Sequence, residues 1–212
     1  MNPDDLSVLP VNVTSFYDYF KADADAHEVA NAFGYTFESK QMTLPQIADT
    51  PDWEPELRER IFKWLPRIRM SNEGARRETM VAPLLLNIIE RFDYYLLIEQ
   101  WVNVAPQLKG RLDYILEADQ SLLVVEAKDG DTYHGTTQLV AEMIALDKWN
   151  RTGERLLYGA LTTGILWQFA AMNRETKTIT QDLRSYNVPG QLDIVLRILI
   201  GILQDKPTHA TT

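Results

Sequence analysis

The sequence predicts a mixed α/β fold in which helices flank a central mixed β-sheet. Short runs rich in β-branched and aromatic residues follow one another between polar turns at 94–104, 111–118 and 121–128, as in an antiparallel meander. A helical pattern precedes this meander and another follows it. Two further strands at 155–163 and 165–172, a possible third at 179–186 and a closing helix complete the order, which indicates a sheet with helices on its faces.

Apolar residues at helical spacing predict four helices. The first covers residues 14–34, although Asp23 and Asp25 lie in its middle, and the second covers 73–91, where Pro83 is expected to kink the helix or mark a later start. The third covers 136–150 and begins with a candidate threonine N-cap. The last covers 191–203. Its apolar part is too short for a membrane span, so we expect the helix to lie in the core or at an interface.

Charge divides the chain into unequal parts. Residues 1–57 contain eleven acidic and two basic residues, whereas residues 58–212 contain nineteen of each. We therefore predict an acidic N-terminal extension at 1–57, helical and ending in a proline-rich connector, a main domain at 58–204, and a frayed tail at 205–212. Within the main domain, residues 58–77 have seven basic and two acidic residues and form a local basic segment.

Composition excludes several classes of protein. The chain is 45% hydrophobic and 24% charged, which is ordinary for a globular protein and excludes global disorder. The absence of cysteine excludes thiolate metal sites, disulfides and a cysteine nucleophile, and it fits a reducing cytosol. The first residues lack a basic leader followed by an apolar run, so a secretory signal is not expected. We expect a cytoplasmic protein, and no membrane partner.

Charged residues interrupt two of the apolar strands. Glu126 and Lys128 are two residues apart and therefore face the same side of their strand. If the turn is centred on Asp119 and Gln120, Asp113 of the preceding strand lies directly opposite Glu126. Opposed, partly desolvated carboxylates destabilise a sheet, so a compensating cation is expected. Mg²⁺ is the natural candidate, and Lys128 would lie close enough to hold a metal-bound water or to neutralise a phosphate.

These residues also resemble a known family. "GRLDYIL" followed by "VVEAK" is similar to the signature of the PD-(D/E)XK nuclease superfamily, with its restriction-endonuclease-like core. The resemblance is closest to the nuclease domain of type I restriction R subunits and their stand-alone relatives, and it covers roughly residues 73–170. In those proteins a glutamate-bearing helix precedes the meander and a glutamine-bearing helix follows it. Here these parts would be Glu78 in "RRETMVAPLL" and Gln138 in "GTTQLVAEM", followed by "TTGILWQF".

The resemblance implies a metal-dependent nuclease, with DNA rather than RNA as the expected substrate. It implies that Asp113 and Glu126 bind Mg²⁺ or Mn²⁺ together with the backbone carbonyl of Ala127, and that Lys128 orients the attacking water. Glu78 would assist through a water or a second metal. Gln138 would support the site, although Glu142 stands where the family usually has a tyrosine after the glutamine.

Other interpretations stay open at this stage. The strand charges also fit a surface ion pair. Glu78 also fits a helix-start glutamate that interacts with the helix dipole, and Gln138 a first-turn glutamine that faces water. The basic segment fits either phosphate contact or a solvated face. As a whole, the chain also fits a non-catalytic binding or assembly subunit that keeps the nuclease fold, and the C-terminal helix fits either the core or a homodimer seam.

Overall fold

A computed structural model describes Leu9 and residues 13–118, 121–127, 131–149 and 155–205 of the chain. The helices in this part are α1 (Tyr17–Phe20), α2 (Ala26–Ala32), α3 (Glu54–Trp64), α4 (Glu73–Arg76), α5 (Ala82–Arg91), α6 (Thr132–Trp149) and α7 (Leu192–Gln204), and a π-helical turn (Arg77–Val81) joins α4 to α5. The strands are β1 (Thr36–Lys40), β2 (Tyr95–Ala105), β3 (Leu108–Ala118), β4 (Ser121–Ala127), β5 (Leu156–Thr162), β6 (Leu166–Asn173) and β7 (Thr178–Asn187).

The strands form one mixed sheet of seven in the order β1-β7-β6-β5-β4-β3-β2. β2, β3 and β4 are the predicted antiparallel meander. β4 and β5 are parallel, and α6 makes the crossover between them, as parallel neighbours require. β5, β6 and β7 are antiparallel, and β1 pairs in parallel with β7. The predicted mixed α/β class and the predicted strands are confirmed.

Two apolar layers cover the two faces of this sheet. One includes buried residues of α1, α2 and α6, such as Tyr19, Val29 and Ile144. The other includes buried residues of α3, α5 and α7, such as Ile61 and Leu85. In α7, Ile198, Leu199 and Ile200 are all fully buried, so the helix lies in the core of the described chain. No helix in the described ranges is long and apolar enough to cross a membrane.

The predicted single helix over residues 14–34 is wrong. The structure has α1 and α2 in its place, because Asp25 starts a new helix rather than continuing the first one. The Asp25 carboxylate accepts a hydrogen bond from the Glu28 amide, and the Glu28 carboxylate accepts one from the Asp25 amide, both at 2.9 Å. This capping box fixes the start of α2.

The described part of the acidic extension is packed into the sheet and its helical layer. The extension contains β1, which the sequence did not predict and which pairs with β7 from Thr36↔Thr178 to Lys40↔Asp182. Gly110 of β3 approaches the Phe16 backbone so closely that a Cβ there would lie 2.6 Å from its nitrogen. At the other end, Asp205 accepts a hydrogen bond from the Tyr158 hydroxyl, while 206–212, most of the predicted frayed tail, lie outside the described residues.

Two helix starts are set by local chemistry. The predicted break near Pro83 is confirmed: the π-helical turn ends at Val81, and Pro83 lies in the first turn of α5, where its missing N–H costs nothing. The predicted threonine N-cap of the third helix is wrong. α6 begins at Thr132, and the Asp131 carboxylate accepts a hydrogen bond from the His134 amide at 3.1 Å, as an N-cap does.

Candidate functional site

The β3–β4 hairpin has the predicted register. Tyr114 pairs with Val125 and Ile115 with Val124, and the pairing continues without a shift to the end of the hairpin. Asp113 and Glu126 are the residues next to the pair Tyr114 and Val125, one on each strand. Only 8% of Asp113 and 2% of Glu126 is exposed, so both carboxylates are buried.

Helix α6 supplies the polar contacts of Glu126. The Gln138 side chain donates from Nε2 to Oε1 of Glu126 at 2.6 Å and to Oε1 of Glu142 at 2.7 Å. Gln138 and Glu142 are one helical turn apart, so both face the same way, and both are buried. Gln138 Oε1 is itself buried and accepts no hydrogen bond from the described residues. Gln138 therefore contacts Glu126 of β4 directly. Its predicted role in supporting the site stays a prediction.

Asp113 has a positively charged neighbour that the sequence reasoning missed. The Arg77 Nη1 atom lies 3.0 Å from Asp113 Oδ1 and 2.5 Å from Glu99 Oε1. The same guanidinium lies 5.2 Å from the centre of the Tyr114 ring. Burial lowers the pKa of Arg77, but the negative charges and hydrogen bonds of these neighbours outweigh it and raise the pKa. Arg77 is therefore a permanent counter-charge at this end of β3.

Glu99 occupies an unusual backbone position in edge strand β2. Its φ angle is +53°, in the left-handed region that a residue with a side chain rarely adopts. The ladder pairs Ile98 with Tyr114 and Gln100 with Leu112 on either side, so Glu99 lies across from Asp113. Carboxylates of β2 and β3 thus share one guanidinium. Backbone strain of this kind concentrates at functional sites.

Glu78 precedes buried Val81 and Leu85 by three and seven residues, which would place it on their face in a regular helix, but Glu78 is exposed. The π-helical turn inserts extra residues per turn and shifts the phase that a regular helix would have kept, which leaves Glu78 exposed. Burial is the main cause that raises the pKa of Tyr114 in β3, and the negative charge of Glu78 also raises it. Arg77, its neighbour in the turn, is the residue that contacts Asp113.

The remaining predicted residues lie at the end of β4. Ala127 is the last residue of the strand and pairs with Thr162 of β5, so its backbone belongs to the same end of the sheet as Glu126. Lys128 lies outside the described residues. The predicted roles of Ala127 and Lys128 stay predictions.

The acidic pair can be compared with the needs of a divalent metal. Mg²⁺ and Mn²⁺ accept one or two carboxylates and keep several waters. The two carboxylates match that donor set in type. Arg77 already supplies positive charge next to Asp113. Within the described ranges, no three acidic or histidine side chains are grouped as a metal cluster.

Most of the basic segment is engaged within the protein. Arg58 contacts Glu54 at 2.6 Å and Asp193 at 3.0 Å, and Arg76 donates to the Met70 carbonyl. The exposed cations are Lys63, Arg67 and Arg69. Phosphate contact by this segment would therefore depend mainly on those three side chains.

Comparison with known proteins adds no relative. The sequence matches no model of a protein family, and no curated protein matches it.

Proposed function

We propose that this protein is a metal-dependent nuclease that hydrolyses phosphodiester bonds, with DNA rather than RNA as the substrate. The observation that carries the proposal is the β3–β4 hairpin, in which buried Asp113 and buried Glu126 directly adjoin the paired residues Tyr114 and Val125. The contact from Gln138 to Glu126 adds to it. The order of a helix, a meander, a second helix and a parallel strand agrees with the restriction-endonuclease-like core that the resemblance implies.

In this proposal each residue has a distinct task. Asp113, Glu126 and the Ala127 carbonyl hold Mg²⁺ or Mn²⁺, which when bound activates water and stabilises charge on the phosphate. Gln138 fixes the orientation of the Glu126 carboxylate. By resemblance, Lys128 orients the attacking water and Glu78 assists from the helix before the meander.

The test is cleavage of plasmid, linear duplex, single-stranded DNA and RNA with Mg²⁺ or Mn²⁺. We expect cleavage that stops on chelation and falls roughly 10²- to 10³-fold in Asp113→Asn and Glu126→Gln, as for loss of one charge-stabilising group. Lys128→Ala is expected to behave in the same way. The matched control is Glu175→Gln, which removes an exposed carboxylate paired with Arg155. No cleavage of any substrate, or full activity in Glu126→Gln, would contradict the proposal.

The second candidate is a non-catalytic binding or assembly subunit that keeps this fold. It is favoured by the partners of the carboxylates, because Arg77 contacts Asp113 and Gln138 contacts Glu126 as in a purely structural network. Edge strand β2 also exposes large apolar side chains, which suits self-association.

Calorimetry separates the two candidates. A nuclease is expected to bind Mn²⁺ in the wild type and to lose that binding in Glu126→Gln. A structural subunit is expected to bind no Mn²⁺ in either form. Sedimentation equilibrium then tests whether the subunit is a homodimer.

A further inference from the structure

The β2–β3 hairpin carries positive charge on one of its faces. In β3, Leu108, Gly110 and Leu112 are buried, whereas Lys109 is half-buried and Arg111 is exposed. Successive side chains of a strand point to opposite faces. Lys109 and Arg111 therefore lie on the face opposite the buried row, away from the apolar layer that contains Leu108 and Leu112.

The paired residues of β2 add an aromatic ring and an amide to this face. Trp101 pairs with Arg111, and Asn103 pairs with Lys109, while Val102 between them is buried in the apolar layer. Directly paired residues lie on the same face of a sheet. The Trp101 side chain is half exposed. We call Trp101, Asn103, Lys109 and Arg111 the hairpin patch.

Ion pairs connect the hairpin patch to the candidate site. The Arg111 Nη1 atom lies 3.8 Å from Glu99 Oε2, and the other oxygen of Glu99 contacts Arg77 at 2.5 Å. Arg77 in turn contacts Asp113 at 3.0 Å. Arg111 and Asp113 are two residues apart in β3, about 7 Å along the strand. The Arg111 side chain is 65% exposed, so its charge is open to a ligand that also reaches Asp113.

The composition of the hairpin patch favours a nucleic-acid strand over a protein. Lysine is depleted in the cores of protein interfaces, whereas cations beside an exposed aromatic ring are how proteins hold single strands. Bases in a duplex are stacked on one another, so only an unpaired base can lie flat on Trp101. Tyr95 of the same strand is more exposed than Trp101, but it pairs with Glu117, whose charge disfavours phosphate.

We propose that the hairpin patch binds a single-stranded segment of nucleic acid, with one base stacked on Trp101 and phosphates beside Lys109 and Arg111. The inference deepens the proposed function and rests on it for the nature of the ligand. The substrate class is a nucleic acid with an unpaired strand next to the phosphate that is cleaved. Because every base has a flat face, stacking on Trp101 gives no preference for one base.

The test measures binding in EDTA, where metal-dependent cleavage cannot occur. Dye-labelled oligothymidine, an abasic strand and a blunt duplex, all of one length, are titrated with the protein and followed by fluorescence anisotropy. The wild type is expected to bind oligothymidine more tightly than the duplex, and roughly 5- to 100-fold more tightly than the abasic strand, as for one stacked base.

Trp101→Leu keeps an apolar side chain and removes the aromatic ring, so it is expected to abolish the preference for oligothymidine over the abasic strand. Trp101→Phe, with a smaller ring, is expected to keep the preference in part. The matched control is Tyr95→Leu, which removes an exposed aromatic ring from the same strand outside the hairpin patch. This control is expected to keep the full preference.

Arg111→Gln tests the phosphate contact. It is expected to weaken the binding of oligothymidine and of the abasic strand alike, and to reduce the slope of log affinity against log salt by about 0.7, as for one lost contact. Arg155→Gln is the matched control, because the Arg155 side chain is 62% exposed and pairs with one carboxylate, that of Glu175. It is expected to change neither the affinity nor the slope.

Equal binding of oligothymidine and the abasic strand by the wild type, tighter binding of the duplex, or no binding at all would overturn the proposal. An unchanged preference in folded Trp101→Leu, or in Trp101→Phe if the leucine variant does not fold, would do the same. So would a wild-type dimer in sedimentation that dissociates in Trp101→Leu, because the ring would then join two copies of the chain.

The result is separate from nuclease activity because metal is absent. A preference for the base-bearing strand without cleavage in the Mg²⁺ assay supports the hairpin patch and contradicts the nuclease. Cleavage without that preference does the reverse.

Discussion

Gln138 joins helix α6 to strand β4 by donating a 2.6 Å hydrogen bond to Glu126. The same nitrogen contacts Glu142, so one neutral amide holds two buried carboxylates on an otherwise apolar face. Buried polar networks specify one arrangement when they are satisfied, and they are costly when one member is removed. The amide therefore links α6 to β4, although its own oxygen accepts no hydrogen bond from the described residues.

Replacement of Gln138 by leucine is expected to lower the free energy of unfolding by about 1–3 kcal/mol, because Glu126 and Glu142 lose a shared donor while staying buried. Urea denaturation measures the change. The control is Gln204→Leu, on the surface of α7, which should alter stability by less than about 0.5 kcal/mol. Equal stability of the two variants would show that the network contributes little.

Arg77→Met removes the cation between Asp113 and Glu99. Because Arg77 and Asp113 are largely buried, loss of the guanidinium is expected to cost about 3 kcal/mol. Under the nuclease proposal, the same variant binds Mn²⁺ more tightly, since a competing positive charge is gone. Urea denaturation and calorimetry measure the two effects. Arg111→Met is the matched control, because Arg111 is mostly exposed and lies 3.8 Å from Glu99. A decrease in Mn²⁺ affinity in Arg77→Met would contradict the expected competition.

Stability is expected to fall as the pH rises above about 10, where tyrosine in an unfolded chain ionises. Burial is the main cause that raises the pKa of Tyr19, Tyr35 and Tyr158 in the folded protein. The unfolded state therefore loses protons first, and the stability present below that pH is lost as the pH rises toward the folded-state pKa values. Urea denaturation between pH 8 and 11 measures the slope.

Tyr35→Phe is expected to make this slope shallower, since one of the contributing hydroxyls is removed. Tyr95→Phe, at an exposed position of β2, serves as the control and should leave the slope unchanged. Stability that is constant from pH 8 to 11 would contradict the prediction.

Gly201→Ala is expected to destabilise the protein by about 1–3 kcal/mol, because a Cβ in α7 would lie 2.5 Å from the Gln46 Cα atom and 2.7 Å from the Pro45 carbonyl carbon. These are backbone atoms and cannot rotate away. Gly74→Ala is the matched control: its nearest neighbour is a side-chain oxygen at 3.5 Å, and alanine should add about 0.5–1 kcal/mol in a helix. Thermal and urea unfolding measure both variants. Equal effects would show that the backbone at residues 45–46 can move away from the added Cβ at little cost in stability.

Much of the fold could be predicted from local patterns. Alternation and turn residues predicted β2 to β7, because side-chain direction in a strand depends only on position along it. The β3–β4 register followed from the turn alone. β1 was missed because a five-residue strand with Glu38 and Lys40 has little apolar signal, and its pairing with distant β7 determines it.

The candidate site was predictable only in part. The hairpin that carries Asp113 and Glu126 could be predicted, because its register follows from its turn. The contacts of Arg77 with Asp113 and Glu99 could not be predicted, because a π-helical turn sets the direction of Arg77 and the left-handed backbone sets that of Glu99. In the sequence, Glu142 stands out only as a departure from the motif. Its position four residues after Gln138 nevertheless indicates that the two side chains lie on the same helix face and can make contact.

The sequence by itself determined the order of the elements and the hairpin that carries the carboxylates of Asp113 and Glu126, since these depend on neighbours along the chain. Tertiary structure decided which side chains meet those carboxylates, because Arg77 and Gln138 arrive from separate helices whose positions depend on packing against the sheet.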